Sequence, residues 1–331
     1  MKKILHILIL VAVLLQISCD DDLASNTPAT NPVDVYVAGQ KDSQACYWKN
    51  NQPVLLDSGG LIGPTATKII VANNDVYVLG ISVGTTTVET FPMFWKNGVL
   101  TNLKTSLTTN DEEVVTITDF EIIGNDVYFV GYTKKPLIAF DDYSLAYWKN
   151  GVQTIVHNYG GHAHNYPKIA IANNNVYITA SENGTETING FYANNVFNEI
   201  PNSILNGLAV NNNEVYVYGT LNNAAYYKNI SANSETTLPL ITAGISKMLF
   251  ENNNMYYSTG SNNIYKNGTL FNENQILFGG IMDFKILNNN IYKITQEGDF
   301  GFISYLIING VETMQIPNSD GVFQSLFVVQ N

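Results

Sequence analysis

The chain has 331 residues, 45% of them hydrophobic, and carries 28 acidic side chains against 16 basic ones, a net charge of −12. All sixteen basic residues are lysines. Without guanidinium forks and with a negative overall field, the chain lacks the footprint of a nucleic-acid binder and the two-pronged grip that arginine gives on carboxylates and phosphates. In chain order, Lys2 and Lys3 precede an apolar run over residues 4–15, broken only by His6. That run is too short to cross a bilayer comfortably and suits the core of a signal peptide. Residues 24–32 are rich in Thr, Asn and Pro and read as a flexible tether. The expected division is a signal peptide at 1–19, a tether at 20–32 and one folded domain at 33–331.

The apolar run ends in Gln16-Ile17-Ser18-Cys19. This resembles the bacterial lipobox, in which the cysteine thiol receives a diacylglyceryl group. Gln16 stands where that pattern usually has Leu, so cleavage by the ordinary signal peptidase is the alternative. Asp20-Asp21-Asp22 is similar to the acidic export tag of Bacteroidetes surface lipoproteins. The resemblance implies a membrane partner through a lipid on Cys19 and an outer-membrane location, facing the cell surface or the periplasm. If Cys19 is acylated, Cys46 has no partner for an internal disulfide and is expected to be a buried thiol.

The rest of the chain repeats itself. A strand built on Val-Tyr or a close variant recurs with tyrosines at 36, 77, 128, 177, 216, 256 and 292, spaced by 41, 51, 49, 39, 40 and 36 residues. Those spacings match one four-stranded propeller blade each. Before most copies lies an apolar strand ending in turn formers, such as Asn73-Asn74 or Asn212-Asn213. After each comes a strand that in most copies is aromatic, running into Lys-Asn-Gly or a relative, as in Trp95-Lys96-Asn97-Gly98. Asn and Gly accept positive φ, so both junctions predict tight hairpins. The unit is four strands, A to D.

The first Val-Tyr strand has no A strand before it, whereas residues 323–329 match an A strand and end the repeat. The fold predicted is all-β: a seven-bladed β-propeller of four-stranded antiparallel blades, closed by the C-terminal strand completing the first blade. The phrases "VYVAG" and "YWKNG" resemble the repeat of Bacteroidetes propeller proteins over nearly the whole span from Val33 to the end. A sialidase-type propeller would require an arginine cluster, which the composition excludes.

Short A–B and C–D turns share one face; the B–C and D–A connections share the other and lengthen at 81–92, 132–144 and 157–167. Candidate ligand-binding residues lie there: His162, His164 and Tyr166, with His157 in the same connection, and Asp141, Asp142 and Tyr143 in the neighbouring one. A solvated polar loop is the competing reading for all of them. No cysteine or carboxylate accompanies the histidines at ligand spacing, so no metal or cofactor is expected. Trp48, Trp95 and Trp148 precede the C–D turns and are expected to pack rather than stack on sugars. Three functions stay open: a lipid-anchored binding module for a glycan or an envelope protein, a propeller-type polysaccharide lyase or glycoside hydrolase using His162, Tyr166 and Asp141, or a structural role in an envelope complex.

Overall fold

Asparagine pairs and Asn-Gly steps set the sheet register. The computed structural model describes residues 32–83, 89–135, 143–159, 166–183, 187–238, 241, 243–260, 263–272, 279–298 and 302–331. Their 28 strands, numbered β1 to β28 along the chain, form seven four-stranded sheets. Six sheets are consecutive quartets, and the seventh has the order β28, β1, β2 (Gln44–Lys49), β3 (Gln52–Leu55). The ring is thus seven-bladed and closed by the C-terminal strand, β28 (Gly321–Gln330), beside β1 (Val33–Lys41). Residues Asp34–Val329 form one compact unit.

The two phrases of the repeat are one physical device. Asn97 adopts φ 51° at its turn, which places its side chain back over the B strand. Its Oδ1 accepts the Val76 N–H at 2.8 Å, and its own N–H donates to the Val76 carbonyl at 2.8 Å. Its Nδ2 donates to Asp75 Oδ1 at 2.7 Å. Asn50, Asn150, Asn194, Asn267 and Asn309 repeat this clamp on Val35, Val127, Val176, Met255 and Ile291. The preceding lysine lies opposite the tyrosine: Lys49, Lys96 and Lys149 pair with Asp34, Asp75 and Asp126 and stand 5.3–5.4 Å over the rings of Tyr36, Tyr77 and Tyr128. Exposed pairs of this kind contribute little singly, so the clamp's weight lies in the satisfied backbone groups.

The glycine of "VYVAG" has a different cause. In β4 (Ile62–Ala72), β8 (Glu113–Ile123), β16 (Ser203–Asn211), β20 (Ile245–Glu251) and β24 (Gly279–Leu287), the register slips by one residue at the same repeat position, before Lys68, Asp119, Gly207, Lys247 and Asp283. Such a bulge pushes a carbonyl toward the neighbouring strand. A Cβ on Gly131 would lie 2.0 Å from the Thr116 oxygen, and one on Gly219 2.0 Å from that of Ile204. Gly39 and Gly80 meet the carbonyls of Val322 and Thr65 in the same way.

Packing between blades is aromatic. Trp95 and Trp148 are fully buried and Trp48 nearly so, as packing residues. Trp48 meets Phe323 of β28 edge to face at 4.9 Å, adding a side-chain lock to the closing strand. Cys46 is buried, and burial pushes its thiol up to about 11. One short helix, α1 (Leu103–Leu107), interrupts the strands; Asn102 caps it, and Leu103 and Leu107 are buried.

Two predictions follow from closure and from the bulge. Deleting residues 323–331 strips β1 of its partner and Trp48 of Phe323, and thermal unfolding of the truncated chain should begin many degrees below that of the full chain; an unchanged melt contradicts closure. Gly131→Ala should cost about 1–3 kcal/mol in urea unfolding, because Thr116 must move, whereas Ala at the open, exposed Gly60 tests only backbone strain.

Candidate functional site in the central channel

The innermost strands of the seven sheets surround a cavity of about 600 Å³. Its lining comes from β4, β8, β16, β20, β24 and β28, from Lys168 and Ile169 at the start of β12 (Ile169–Ala172), and from Tyr218 of β17 (Glu214–Leu221). Four lysines, Lys68, Lys168, Lys247 and Lys285, face three carboxylates, Asp119, Glu121 and Asp283. In an acidic chain with sixteen lysines, four sit around one cavity.

Their arrangement follows the bulge. The bulge sets Lys68, Asp119, Gly207, Lys247 and Asp283 at one level in blades two, three, five, six and seven; Lys168, whose carbonyl accepts the Thr179 N–H, and Ser325, three residues after the Val322 carbonyl that faces Gly39, hold the same level in blades four and one. Each acceptor at this level takes the next blade's N–H one residue further on. Ser325 Oγ accepts from Ile69 N at 3.4 Å, Asp119 Oδ2 from Ile169 N at 3.2 Å, and Asp283 Oδ2 from Leu326 N at 2.8 Å. Blade five has glycine there, and the Tyr218 hydroxyl fills the place: a Cβ on Gly207 would lie 2.4 Å from it, and the Met248 N–H is directed at it. Each lysine alternates with these acceptors. Lys68 Nζ reaches Asp119 Oδ1 and Glu121 Oε1, both at 2.8 Å, and the Phe120 carbonyl at 2.7 Å; Lys247 pairs with Asp283.

These contacts set the protonation states. Burial opposes charge on Asp119, yet Lys68 and Lys168 hold its carboxyl below the ordinary carboxylate range. Burial likewise disfavours the Lys68 ammonium, and Asp119 and Glu121 overcome it and raise Lys68. Lys285, over the Phe327 ring at 5.3 Å, is pushed down by burial and by Lys68. Burial and the neighbouring Lys285, Lys68 and Lys168 push Lys247 down, against the attraction of the Asp119 carboxylate. Burial pushes the Tyr218 hydroxyl up to about 12, so it is a neutral O–H at physiological pH.

The residues singled out in the sequence fare differently. His162, His164, Asp141 and Asp142 lie outside the described residues. His157 is not in a connection: it belongs to β11 (Val152–Asn158), opposite Leu145, because this outer strand runs on to pair Asn158 with Ser144. Its ring packs against Tyr159 at 4.8 Å and near Tyr192. The other long connections also shrink, since β5 (Asp75–Val83) and β6 (Thr90–Lys96) pair out to Val83 and Thr90. Tyr143 opens β10 (Tyr143–Lys149) and lines a second cavity, of about 290 Å³, with Glu89, Thr90, Lys104, Glu113 and Lys134. There Lys104 holds Glu89 at 2.6 Å and Glu113 at 3.1 Å. Tyr166 is 81% exposed, two residues before Lys168. Among the described residues no group of three or more His, Cys, Asp or Glu side chains could hold a metal.

No family model matches the chain, and no curated protein is similar to it. Solved structures are similar in fold. The β-propeller domain of the Trilobed protease from Pyrococcus furiosus, described as having an open velcro topology, aligns with 8% identity and a TM-score of 0.55, over 85% of this chain and 91% of that one. Acylaminoacyl peptidase from Pyrococcus horikoshii aligns with 9% identity and a TM-score of 0.50, over 85% of this chain and 50% of that one. The chain thus spans about half of the peptidase. At these identities the likeness establishes a β-propeller and nothing about chemistry.

Replacing Asp119 by Asn leaves Lys68 with Glu121 and the Phe120 carbonyl and weakens the acceptor for Ile169 N; about 2 kcal/mol should be lost at neutral pH. Because the folded carboxyl sits below the ordinary value of 3.8, its stabilisation is present above that value and disappears as pH falls through the lower, folded one. Urea unfolding at a series of pH values should therefore show wild type and Asp119→Asn converging below about pH 4. A gap that persists undiminished in acid contradicts this role for the charge.

Proposed function

We propose that the chain is a cell-envelope protein, tethered by lipid at Cys19, whose propeller is a binding module for a glycan or protein ligand. The observation that carries the binding half is the central channel. Charged side chains from most of the blades are fixed in register around about 600 Å³, a size typical of ligand sites. Groups held by bulges and cross-blade hydrogen bonds are already ordered, so a ligand meets them without the entropy cost of arranging them. The anchor half rests on the sequence Gln16-Ile17-Ser18-Cys19 followed by three aspartates. A tether of about a dozen residues after such a cysteine suits a module held near a membrane. The hydrolase or lyase reading draws on His162, Tyr166 and Asp141, of which only Tyr166 is described, as an exposed ring. No observation here favours it over binding.

Both halves can be checked in bacteria expressing the full chain. Wild type should sediment with membranes and incorporate labelled fatty acid, and Cys19→Ala should do neither; a wild type that stays in the soluble fraction overturns the anchor. Cross-linking in intact native cells should give a discrete adduct with a glycan or a protein. An uncross-linked monomer throughout overturns the binding reading.

A further inference from the structure

The channel ring is a circuit of donors and acceptors with one break. Reading blade by blade, the level of the bulge carries an acceptor in Ser325, a donor in Lys68, an acceptor in Asp119 and a donor in Lys168. It continues with Gly207 and the Tyr218 hydroxyl behind it, a donor in Lys247 and an acceptor in Asp283. Lys68 and Lys247 each reach forward to the aspartate of the next blade. Lys168 stands in the same position, but the next blade offers glycine. Among the described residues Lys168 enters no ion pair, and it lines the cavity. Nor does any carboxylate stand at this level between Lys168 and Lys247, where Tyr218 contributes a neutral hydroxyl.

We infer that this gap is the seat of an anionic ligand: a carboxylate carried on a small molecule occupies in blade five the place that Asp119 and Asp283 occupy in blades three and seven. The inference rests on the reading that the propeller binds a ligand, and adds its chemical class and position. A carboxylate there receives the Lys168 ammonium, has the Lys247 side chain on its other side and can accept the Tyr218 O–H. A bound carboxylate also favours the charged forms of Lys247 and Lys285, which burial and the neighbouring lysines push down. The overall charge of −12 argues against long-range steering of anions, so recognition must come from the lysines at this level, in a site partly shielded from water. Lysine point charges without arginine forks suit a compact carboxylate approached from several sides rather than a planar two-bond grip. The room above the gap admits more than the carboxylate, and Lys285 lies in the same cavity for a second anionic group.

The carboxylate could belong to a free polycarboxylate or to an acidic sugar, and two probes separate these. Titration calorimetry of the purified full chain uses citrate and glucuronic acid, with glucose as the neutral isostere and sodium chloride matched throughout. Saturable binding of citrate or of glucuronic acid, with none of glucose, is the expected result. Lys168→Met should weaken it about tenfold or more, while Lys149→Met, on the exposed C–D turns, leaves it unchanged. Should Lys168→Met fold poorly, Tyr218→Phe provides the second reading and should weaken binding severalfold. Glucose binding as well as glucuronic acid, affinity unchanged in both variants, or no binding of either acid at millimolar concentration overturns the inference. If a cross-linked partner is nevertheless found in cells, the binding module stands and only the carboxylate seat falls.

Discussion

Without β28, the strand β1 would present a row of unpaired N–H and C=O groups to water on the inner side of the first blade, and the array would be a linear stack with two free edges. Pairing of β28 with β1 removes both edges and, in the same act, makes a closed channel out of seven separate inner strands. Everything polar at the centre depends on that closure. Ser325 and Leu326 lie on the closing strand, and through them Asp283 of the last blade and Ile69 of the second are tied to the first. Trp48 on Phe323 supplies the apolar counterpart further out along the sheet.

The second constraint is the bulge. A regular inner strand would alternate its side chains between the two neighbouring blades and leave its backbone facing the channel. One extra residue per strand turns a side chain and an N–H toward the axis and toward the next blade. The glycines at 39, 80, 131 and 219 are the cost on the adjacent strand, since only a residue without Cβ accepts the displaced carbonyl. Sheet pairing, glycine positions and the charged ring are therefore one feature seen at three distances from the axis.

What the sequence reveals divides along the same line. Blade number, closure, asparagine turns and the packing role of the tryptophans rest on local rules: period-two alternation, positive φ at Asn and Gly, and repeated spacing. These can be read from a single copy and checked against six others. The charged ring could not be read that way, because it uses a different residue in nearly every blade and becomes visible only when the inner strands are aligned on their bulges. A signal was present in Thr67-Lys68-Ile69, Thr118-Asp119-Phe120, Pro167-Lys168-Ile169 and Ser246-Lys247-Met248, a charge set before an apolar residue each time. The histidines stand out instead, by rarity. His157 then proved to be a strand residue, since pairing of Asn158 with Ser144 carries the outer strand further than its composition suggests. Tyr143 and Tyr166 fall on the described surface, and only Tyr166 lies near the channel in sequence, two residues from Lys168.

A ring of buried ion pairs is a poor route to stability, because desolvation offsets most of the attraction and apolar side chains of equal volume would hold the blades at least as well. Its effect is geometric: charged groups keep a channel of about 600 Å³ from collapsing onto itself and fix the angular order of the blades. Strict alternation of donor and acceptor cannot close on an odd number of blades, so somewhere two like groups must meet. They meet at Asp283 and Ser325, where a hydroxyl resolves the conflict by donating to the carboxylate at 3.3 Å while accepting from Ile69 N. The seam of the chain and the seam of the hydrogen-bond circuit thus coincide on β28. With that parity defect absorbed, the glycine at 207 is not required by counting. Glycine there makes room for the Tyr218 hydroxyl, which satisfies the Met248 N–H but carries no charge to answer Lys168. An aspartate would have completed the circuit from within, whereas glycine leaves its last acceptor to be supplied from outside.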